Sequence, residues 1–163
     1  SYASALKSAM RSDPDYICVS EMRDLDTVAM AITAAETGHL VFGTLHTTNA
    51  TRSVDRIIDV FPPKEQEQIR AMVSESIRGV ISQQLLPRED GLGREPVLEI
   101  MFATPAVANM IRERKTFQLQ SVLQTGSKQG MCTMDDSILD LLKKKIISRE
   151  TAWFFAENKD RFK

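Results

Sequence analysis

Residues 13–24 read DPDYICVSEMRD, a short apolar run between a proline turn and a charged segment. Pro14 disfavours the helical region for the residue before it, so a helix predicted over 3–11 ends at this turn. The run from Tyr16 to Ser20 is short and contains isoleucine and valine, which is typical of a buried strand in an α/β sheet. Glu21 follows this strand directly.

A helix and a second strand come next. Asp24 can cap the start of a helix, and Gly38 is suited to its end. Residues 40–45, LVFGTL, then predict a second buried strand. A strand, helix and strand in this order imply a right-handed parallel crossover, so both strands are expected to end at the same edge of a sheet.

The following residues predict two more helices and a hairpin. Thr48 and Asn49 can cap a helix that Pro62 and Pro63 end, and a further helix covers 64–78. Two apolar runs around a long polar loop then predict an antiparallel pair of strands, at 80–86 and 97–102.

The chain changes character near residue 104, after which short helices are expected near 106–114, 117–125 and 135–159. The predicted fold class is α/β, with a mostly parallel sheet and a β-hairpin. We expect two domains, one over 1–104 and a small helical subdomain over 105–163.

Composition excludes several classes of protein. The formal net charge of the 163 residues is −1, which disfavours a nucleic-acid binder. Cys18 and Cys132 form no C-x-x-C pair, so no disulfide scaffold or zinc ribbon is expected, and a reducing cytoplasm fits. Cys18 is predicted to be a small buried hydrophobe. No run approaches the roughly 20 apolar residues of a membrane span.

Glu21 is the first candidate for chemistry. A buried strand would hold its carboxylate at the carboxyl edge of the sheet, where open α/β folds bind ligands. There it could order the waters of Mg²⁺ or a water that attacks a phosphate. From spacing alone, a solvated acidic residue at a strand end remains the alternative.

The two histidines, His39 and His46, lie in TGHLVFGTLHTT, residues 37–48. They fall at opposite ends of the predicted strand, so they cannot chelate one metal ion, and no metal site is predicted. His46 shares its edge with Glu21 and could donate a hydrogen bond to a phosphate oxygen. A strand-end histidine with a structural partner is the alternative.

Together, these two stretches resemble the Walker B segment and the His box of the type II/IV secretion ATPase superfamily. The resemblance continues through residues 54–62, 74–83, 98–101 and 130–135, and it covers essentially the whole chain. The assembly and type II secretion ATPases usually carry a four-cysteine zinc insert, which this chain lacks. It is therefore most similar to the C-terminal portion of the type IV pilus retraction, or twitching-motility, ATPases.

The resemblance implies that the α/β fold is the C-terminal part of a RecA-like P-loop NTPase core, with a partial ATPase core over 1–104 followed by the helical subdomain. It also implies a motor that couples ATP hydrolysis, with Mg²⁺, to pilus retraction. It implies a homohexamer in the cytoplasm, peripheral at the inner membrane and coupled to an inner-membrane platform protein, with no nucleic acid partner. Glu21 and His46 would be catalytic. Arg23 would lie close to the nucleotide or the subunit interface, and Arg23 and His39 are the expected nucleotide-binding residues.

Three departures from the family pattern accompany this resemblance. The phosphate-binding loop G-x-x-x-x-G-K-[ST] and the family's acidic box do not occur in the 163 residues, and Ala108 stands where the retraction ATPases have an arginine. The chain begins SYASALKSAM, without an initiator Met, which predicts a start inside a domain. We therefore expect this chain alone to be inactive.

Two other interpretations stay open at this point. The chain could belong to an assembly-type or accessory ATPase of the same superfamily. It could also be a non-catalytic module that docks on motor rings.

Overall fold

The computed structural model describes residues 2–163 and has the predicted α/β fold. Its residues fall into two compact units. The first comprises residues up to 47, together with 53–78 and 103–116, and the second comprises 48–52, 79–102 and 117–163.

The first unit contains a parallel pair of strands and the helices around it. The strands are β1 (Tyr16–Val19) and β2 (Leu40–Gly43). The helices are α1 (Tyr2–Ala9), α2 (Leu25–Glu36), α4 (Gln66–Ser76) and α5 (Pro105–Arg112). Helix α3 (Ala50–Asp59) has its first residues in the second unit and the remainder in the first.

The crossover from β1 through α2 to β2 is confirmed. The two strands pair in parallel, from Tyr16 opposite Leu40 to Val19 opposite Gly43. Asp24 caps α2, because its Oδ1 accepts the Thr27 N–H at 2.9 Å. The helix ends before Gly38, whose φ of +99° is the left-handed conformation that glycine adopts readily.

The strands are covered on one face only, which corrects the prediction of two buried strands. Ile17 and Val19 are buried with residues of α1 and α2, whereas Tyr16, before Ile17, and Cys18, between the two, are exposed. No residue of β2 is fully buried, and Phe42 is 54% exposed. Successive side chains of a strand point to opposite faces, so a single packed face buries only alternate residues. The prediction that Cys18 is buried is wrong for the same reason.

The second unit is a hairpin with three helices. Strands β3 (Gly79–Pro87) and β4 (Arg94–Phe102) are antiparallel, as predicted, with Gly79 opposite Phe102. The helices are α6 (Leu119–Thr125), α7 (Met134–Lys143) and α8 (Arg149–Phe155). The core of this unit joins both strands to α7, α8 and the chain end, through Leu86, Val97, Met134, Ile138, Leu141, Ile147, Ala152, Ala156 and Phe162.

The single helical stretch predicted over 135–159 is wrong, because two helices occupy it. The first of them, α7, ends where Lys145 adopts a φ of +55°. The Ile146 N–H then donates to the Leu141 carbonyl oxygen at 3.0 Å, which closes the helix in a C-terminal turn. Ser148 caps α8 by accepting the Thr151 N–H. The apolar pair Ile146 and Ile147 hid this break by continuing the helical period.

The predicted domain boundary near residue 104 stays a prediction. Helix α5, which lies just beyond it, packs against α4 within the first unit. Within residues 2–163, no helix is both long enough and apolar enough to cross a bilayer.

Ile138 offers a direct test of the second core. Its side chain is fully buried in α7, so replacement by alanine leaves a cavity. We expect Ile138→Ala to lower the free energy of unfolding by about 2–5 kcal/mol in urea titrations followed by circular dichroism. Phe154→Ala, at a side chain that is 68% exposed, is the control. Equal effects of the two changes would contradict the packing described.

Candidate functional site

The segments that follow β1 and β2 run side by side. The Met22 N–H donates to the Thr44 carbonyl oxygen at 3.0 Å, and the Thr44 hydroxyl donates to the Ser20 carbonyl oxygen. The pairing of the strands therefore extends beyond their last residues. Because the strands are parallel, this linkage brings Glu21 and His46 to the same edge, as predicted.

The Glu21 carboxylate is the centre of a small polar cluster. Its Oε1 lies 2.5 Å from His46 Nε2 and forms an ion pair with Arg23 Nε. The side chain of Glu21 is 28% exposed, whereas those of His46 and Arg23 are 83% and 73% exposed. Two solvated side chains thus converge on the best-shielded group of the cluster.

The charges in this cluster stabilise one another. The Arg23 guanidinium, and after it His46, hold the pKa of the Glu21 carboxyl below its ordinary value, although partial desolvation opposes them. The hydrogen bond to Glu21 in turn raises the pKa of Arg23. Hydrogen bonds and a nearby cation favour the charged form of a carboxyl group. The site therefore holds an ionised carboxylate that only accepts hydrogen bonds.

A pocket of about 280 Å³ opens beside this cluster. Its lining comprises Glu21, Met22, Arg23, Leu45, His46 and Arg56. Arg56 comes from α3. No pattern in the sequence marks it, because an arginine on an exposed helical face looks like any solvated charge. Two arginines and a histidine around the pocket suit an anion such as a phosphate group.

Met22 forms one wall of this pocket by packing against Gly43. A Cβ atom at position 43 would lie 2.7 Å from the Met22 Sδ and Cε atoms, which is closer than van der Waals contact allows. The absence of a side chain at Gly43 is therefore what lets the Met22 side chain lie across the end of β2.

His39 lies away from this cluster. It directly precedes β2, and its Nδ1 lies 3.1 Å from the Ala34 carbonyl oxygen and 3.3 Å from the Thr37 hydroxyl. These contacts belong to the C-terminal end of α2. The structure thus brings Glu21, Arg23 and His46 together and leaves His39 out, and a role for His39 in nucleotide binding stays a prediction.

Within the described residues, no group of three or more histidine, cysteine and acidic side chains is arranged to hold a metal ion. Glu21 is the one carboxylate of the pocket lining, and its neighbours there are arginine and histidine side chains. Such a lining fits Mg²⁺ only when the ion is bound to a nucleotide, because waters and phosphate oxygens then supply most of its ligands and a protein carboxylate orders the waters.

Sequence comparison places these residues in a known group. The family described as Type II/IV secretion system protein matches residues 1–152. The twitching motility protein of Neisseria gonorrhoeae is 56% identical over 160 residues, which are 98% of this chain and 43% of that protein. The type IV pilus retraction ATPase PilT of Pseudomonas aeruginosa is 54% identical over 151 residues, which are 93% of this chain and 44% of that protein.

Structure comparison agrees with the sequence. The crystal structure of the pilus retraction motor PilT with bound ADP superposes with a TM-score of 0.88 and 44% sequence identity, over 99% of this chain and 45% of that one. The chain thus spans less than half the length of these relatives. Given the match over residues 1–152, the chain belongs to the type II/IV secretion system protein family.

Proposed function

We propose that this chain is part of a motor ATPase that couples ATP hydrolysis to retraction of a type IV pilus. The observation that carries the proposal is the Glu21 carboxylate, held by Arg23 and His46 beside a cationic pocket at the carboxyl edge of a parallel sheet. Relatives at 54–56% identity are named for twitching motility and pilus retraction, which supports the choice of motor.

Glu21 is the proposed catalytic carboxylate. Its shielded oxygen can accept a hydrogen bond from a water molecule and orient that water toward a phosphate. Alternatively, it can order the water ligands of Mg²⁺. ATP supplies the phosphoryl group when it is bound. With the nucleotide bound, His46 would leave Glu21 and donate a hydrogen bond from its Nε2–H to a phosphate oxygen. Arg23 and Arg56 supply positive charge where the transferred group carries negative charge.

The phosphate cradle and the acidic box would come from outside these 163 residues. We propose that the parent works as a homohexamer in the cytoplasm, peripheral at the inner membrane, where a platform protein receives its motion. ATP and Mg²⁺ are the proposed cofactors, and no nucleic acid is involved.

One observation favours a second candidate within the same family. Ala108, in α5, replaces an arginine of the motif associated with retraction, so an accessory motor ATPase would fit this position better. The two candidates share the Glu21 site and differ in output. Deletion of the parent's gene distinguishes the two candidates. Loss of twitching motility would support the retraction motor. Unchanged twitching in a strain with a second retraction motor would support the accessory ATPase.

We expect Glu21→Gln in the full-length parent to lower kcat for ATP hydrolysis by about 100-fold or more, because one preorganised charged group contributes that much to many reactions. The KM for ATP should change little, since the pocket keeps its cations. Steady-state phosphate release measures both constants. Glu36→Gln, at an exposed position of α2, is the matched control and should leave both unchanged. Full activity of the Glu21→Gln protein would refute the catalytic assignment.

The isolated 163-residue chain should neither bind ATP tightly nor hydrolyse it. The described site contributes one carboxylate and three cationic or imidazole groups on one side of a pocket, and this leaves the phosphates without a backbone cradle. Calorimetric titration with Mg²⁺ and ATP, beside the full-length parent as positive control, tests this expectation. Robust Mg²⁺-dependent turnover by the chain alone would contradict it.

The Glu21 cluster should respond to pH in a defined direction. Its carboxyl pKa is lowered in the folded chain, so the stabilisation from the cluster is present above the unfolded pKa and is lost as pH falls through the folded pKa. We expect the carboxyl carbon of Glu21 to titrate below its ordinary range in ¹³C NMR, and Arg23→Met to move that midpoint upward. An unchanged midpoint in Arg23→Met would rule out Arg23 as the main cause.

A further inference from the structure

The outer face of helix α8, in the second unit, carries two large aromatic side chains that the proposed chemistry does not use. Trp153 is 45% exposed and Phe154 is 68% exposed. On the other face of the same helix, Ala152 is buried in the core of this unit and Phe155 packs against that core. The helix is therefore anchored by one face, while the other presents apolar rings to water, where burial against a partner would be favourable.

Positive charge lies next to these rings. The Nζ of Lys159 is 5.3 Å from the centroid of the Trp153 ring, and it donates to the Trp153 and Phe154 carbonyl oxygens at 2.7 and 2.5 Å. Arg149, one helical turn before Trp153, lies on the same face of α8. Glu150 is the single acidic residue of this helix. The outer face of α8 thus combines aromatic rings with cations.

Three consecutive lysines at residues 143–145 precede α8, and all three are exposed. Lys144 pairs with Asp140 at 2.6 Å. Among the described residues, no acidic side chain forms an ion pair with Lys143 or Lys145. Four residues and one helical turn separate Lys145 from Trp153, so their Cα atoms are at most about 20 Å apart. A single flat surface can therefore meet both the lysines and the rings.

The charge of the chain is unevenly distributed. Residues 141–163 contain seven lysines and arginines against three acidic residues, whereas the other 140 residues contain 14 against 19. The formal net charge of −1 for the whole chain conceals this difference. A basic segment at one end of an otherwise acidic chain favours a partner that is itself negatively charged.

The shape of this face distinguishes between anionic partners. The pocket of about 520 Å³ in this unit is lined by Lys159 but by neither Trp153 nor Phe154, so the two rings stand outward on a helix. A peptide usually anchors its side chains in a groove of the protein, and a single-stranded nucleic acid follows a charged groove. Outward rings beside lysines are instead typical of helices that lie in the headgroup region of an anionic membrane.

We propose that the outer face of α8 docks on an anionic lipid surface. Trp153 and Phe154 enter the headgroup region, and the lysines at 143–145, with Arg149, face the lipid phosphates. The inference rests on the proposed place of the parent at the inner membrane. To that place it adds a direct contact between this chain and lipid, besides any contact with a platform protein.

The fluorescence of Trp153 tests the proposal directly, because it is the only tryptophan of the 163 residues. Vesicles of phosphatidylglycerol and phosphatidylethanolamine in equal amounts should shift its emission to shorter wavelength, as the ring leaves water. Vesicles of phosphatidylcholine alone should leave the emission unchanged. Raising the salt concentration from about 0.1 M to about 1 M should weaken binding by about 10-fold or more, because it screens the lipid charge. An unshifted emission with the anionic vesicles would overturn the proposal.

The contribution of the aromatic rings is measured with Phe154→Ala, which keeps the Trp153 reporter. Loss of the Phe154 ring should weaken binding to the anionic vesicles by about 10-fold. The matched control is Phe117→Ala, at an aromatic side chain that is 72% exposed and lies outside α8. It should stay within about twofold of the wild type. Equal losses in the two variants would show that the outer face of α8 is not the docking surface.

The contribution of the lysines is measured with the double variant Lys143→Gln and Lys145→Gln. It should weaken binding by about 10-fold or more, since each lysine near an anionic surface contributes to attraction. The control is Lys7→Gln with Lys128→Gln, which removes the same charge from two exposed positions elsewhere. If both double variants bind equally weakly, net charge alone explains the attraction and the assignment to this face is refuted.

The full-length parent provides a second readout by sedimentation with the same vesicles. The double variant Trp153→Ala and Phe154→Ala should reduce the sedimented fraction and leave ATP hydrolysis without lipid unchanged. An emission shift with an acidic peptide or single-stranded DNA, and none with vesicles, would overturn the lipid assignment. The proposed function can fail separately: a parent that binds vesicles but hydrolyses no ATP would remove the ATPase proposal alone, and an active parent without vesicle binding would remove this inference alone.

Discussion

The parallel register of β1 and β2 is the constraint on which the candidate site depends. Val19 pairs with Gly43, so the residues that follow each strand emerge at one edge. The hydrogen bond from the Met22 N–H to the Thr44 carbonyl oxygen continues that pairing into the loops. Side chains 25 positions apart, Glu21 and His46, meet for this reason. A shift of one residue in this register would turn the strand side chains to the other face and separate the pair.

The sequence predicts that Glu21 and His46 share one edge of the sheet, because the signals for the two strands and for the helix between them are local. A short β-branched run, a capping aspartate and a glycine stop each follow from neighbouring residues, and together they imply the crossover. The positions of Glu21 and His46 then follow from strand direction alone. The long antiparallel hairpin was predictable on similar grounds, from two apolar runs around a polar loop.

The sequence could not show what depends on distant partners. Cys18 looked buried because its neighbours are apolar, but burial depends on which faces of a strand meet other elements, and here only one face does. The break at Lys145 was hidden by apolar residues that maintain the helical period. Arg56 is a single charged residue without a local motif, and only the folded chain brings it, on α3, beside Glu21.

Glu21 and Glu99 show two ways of holding a carboxylate. Glu21 is held by the solvent-exposed side chains of Arg23 and His46. Such exposed ion pairs contribute little free energy, so these contacts can break easily. Glu99 is held by backbone amides in a dry interior, where a lost partner leaves a buried N–H unsatisfied. The first arrangement suits a group that must exchange partners during a reaction. The second suits a group that must keep them.

The contact between Met22 and Gly43 has an evolutionary consequence. A methyl group at position 43 would collide with the flexible end of the Met22 side chain and not with the backbone, so the strand could accept alanine once that side chain moved. The displaced Met22 would then reshape the pocket that it lines. The size of the residue at position 43 and that of the residue at position 22 are therefore coupled. Among homologues, a larger residue at 43 should occur with a smaller one at 22, so that covariation records the shape of the pocket.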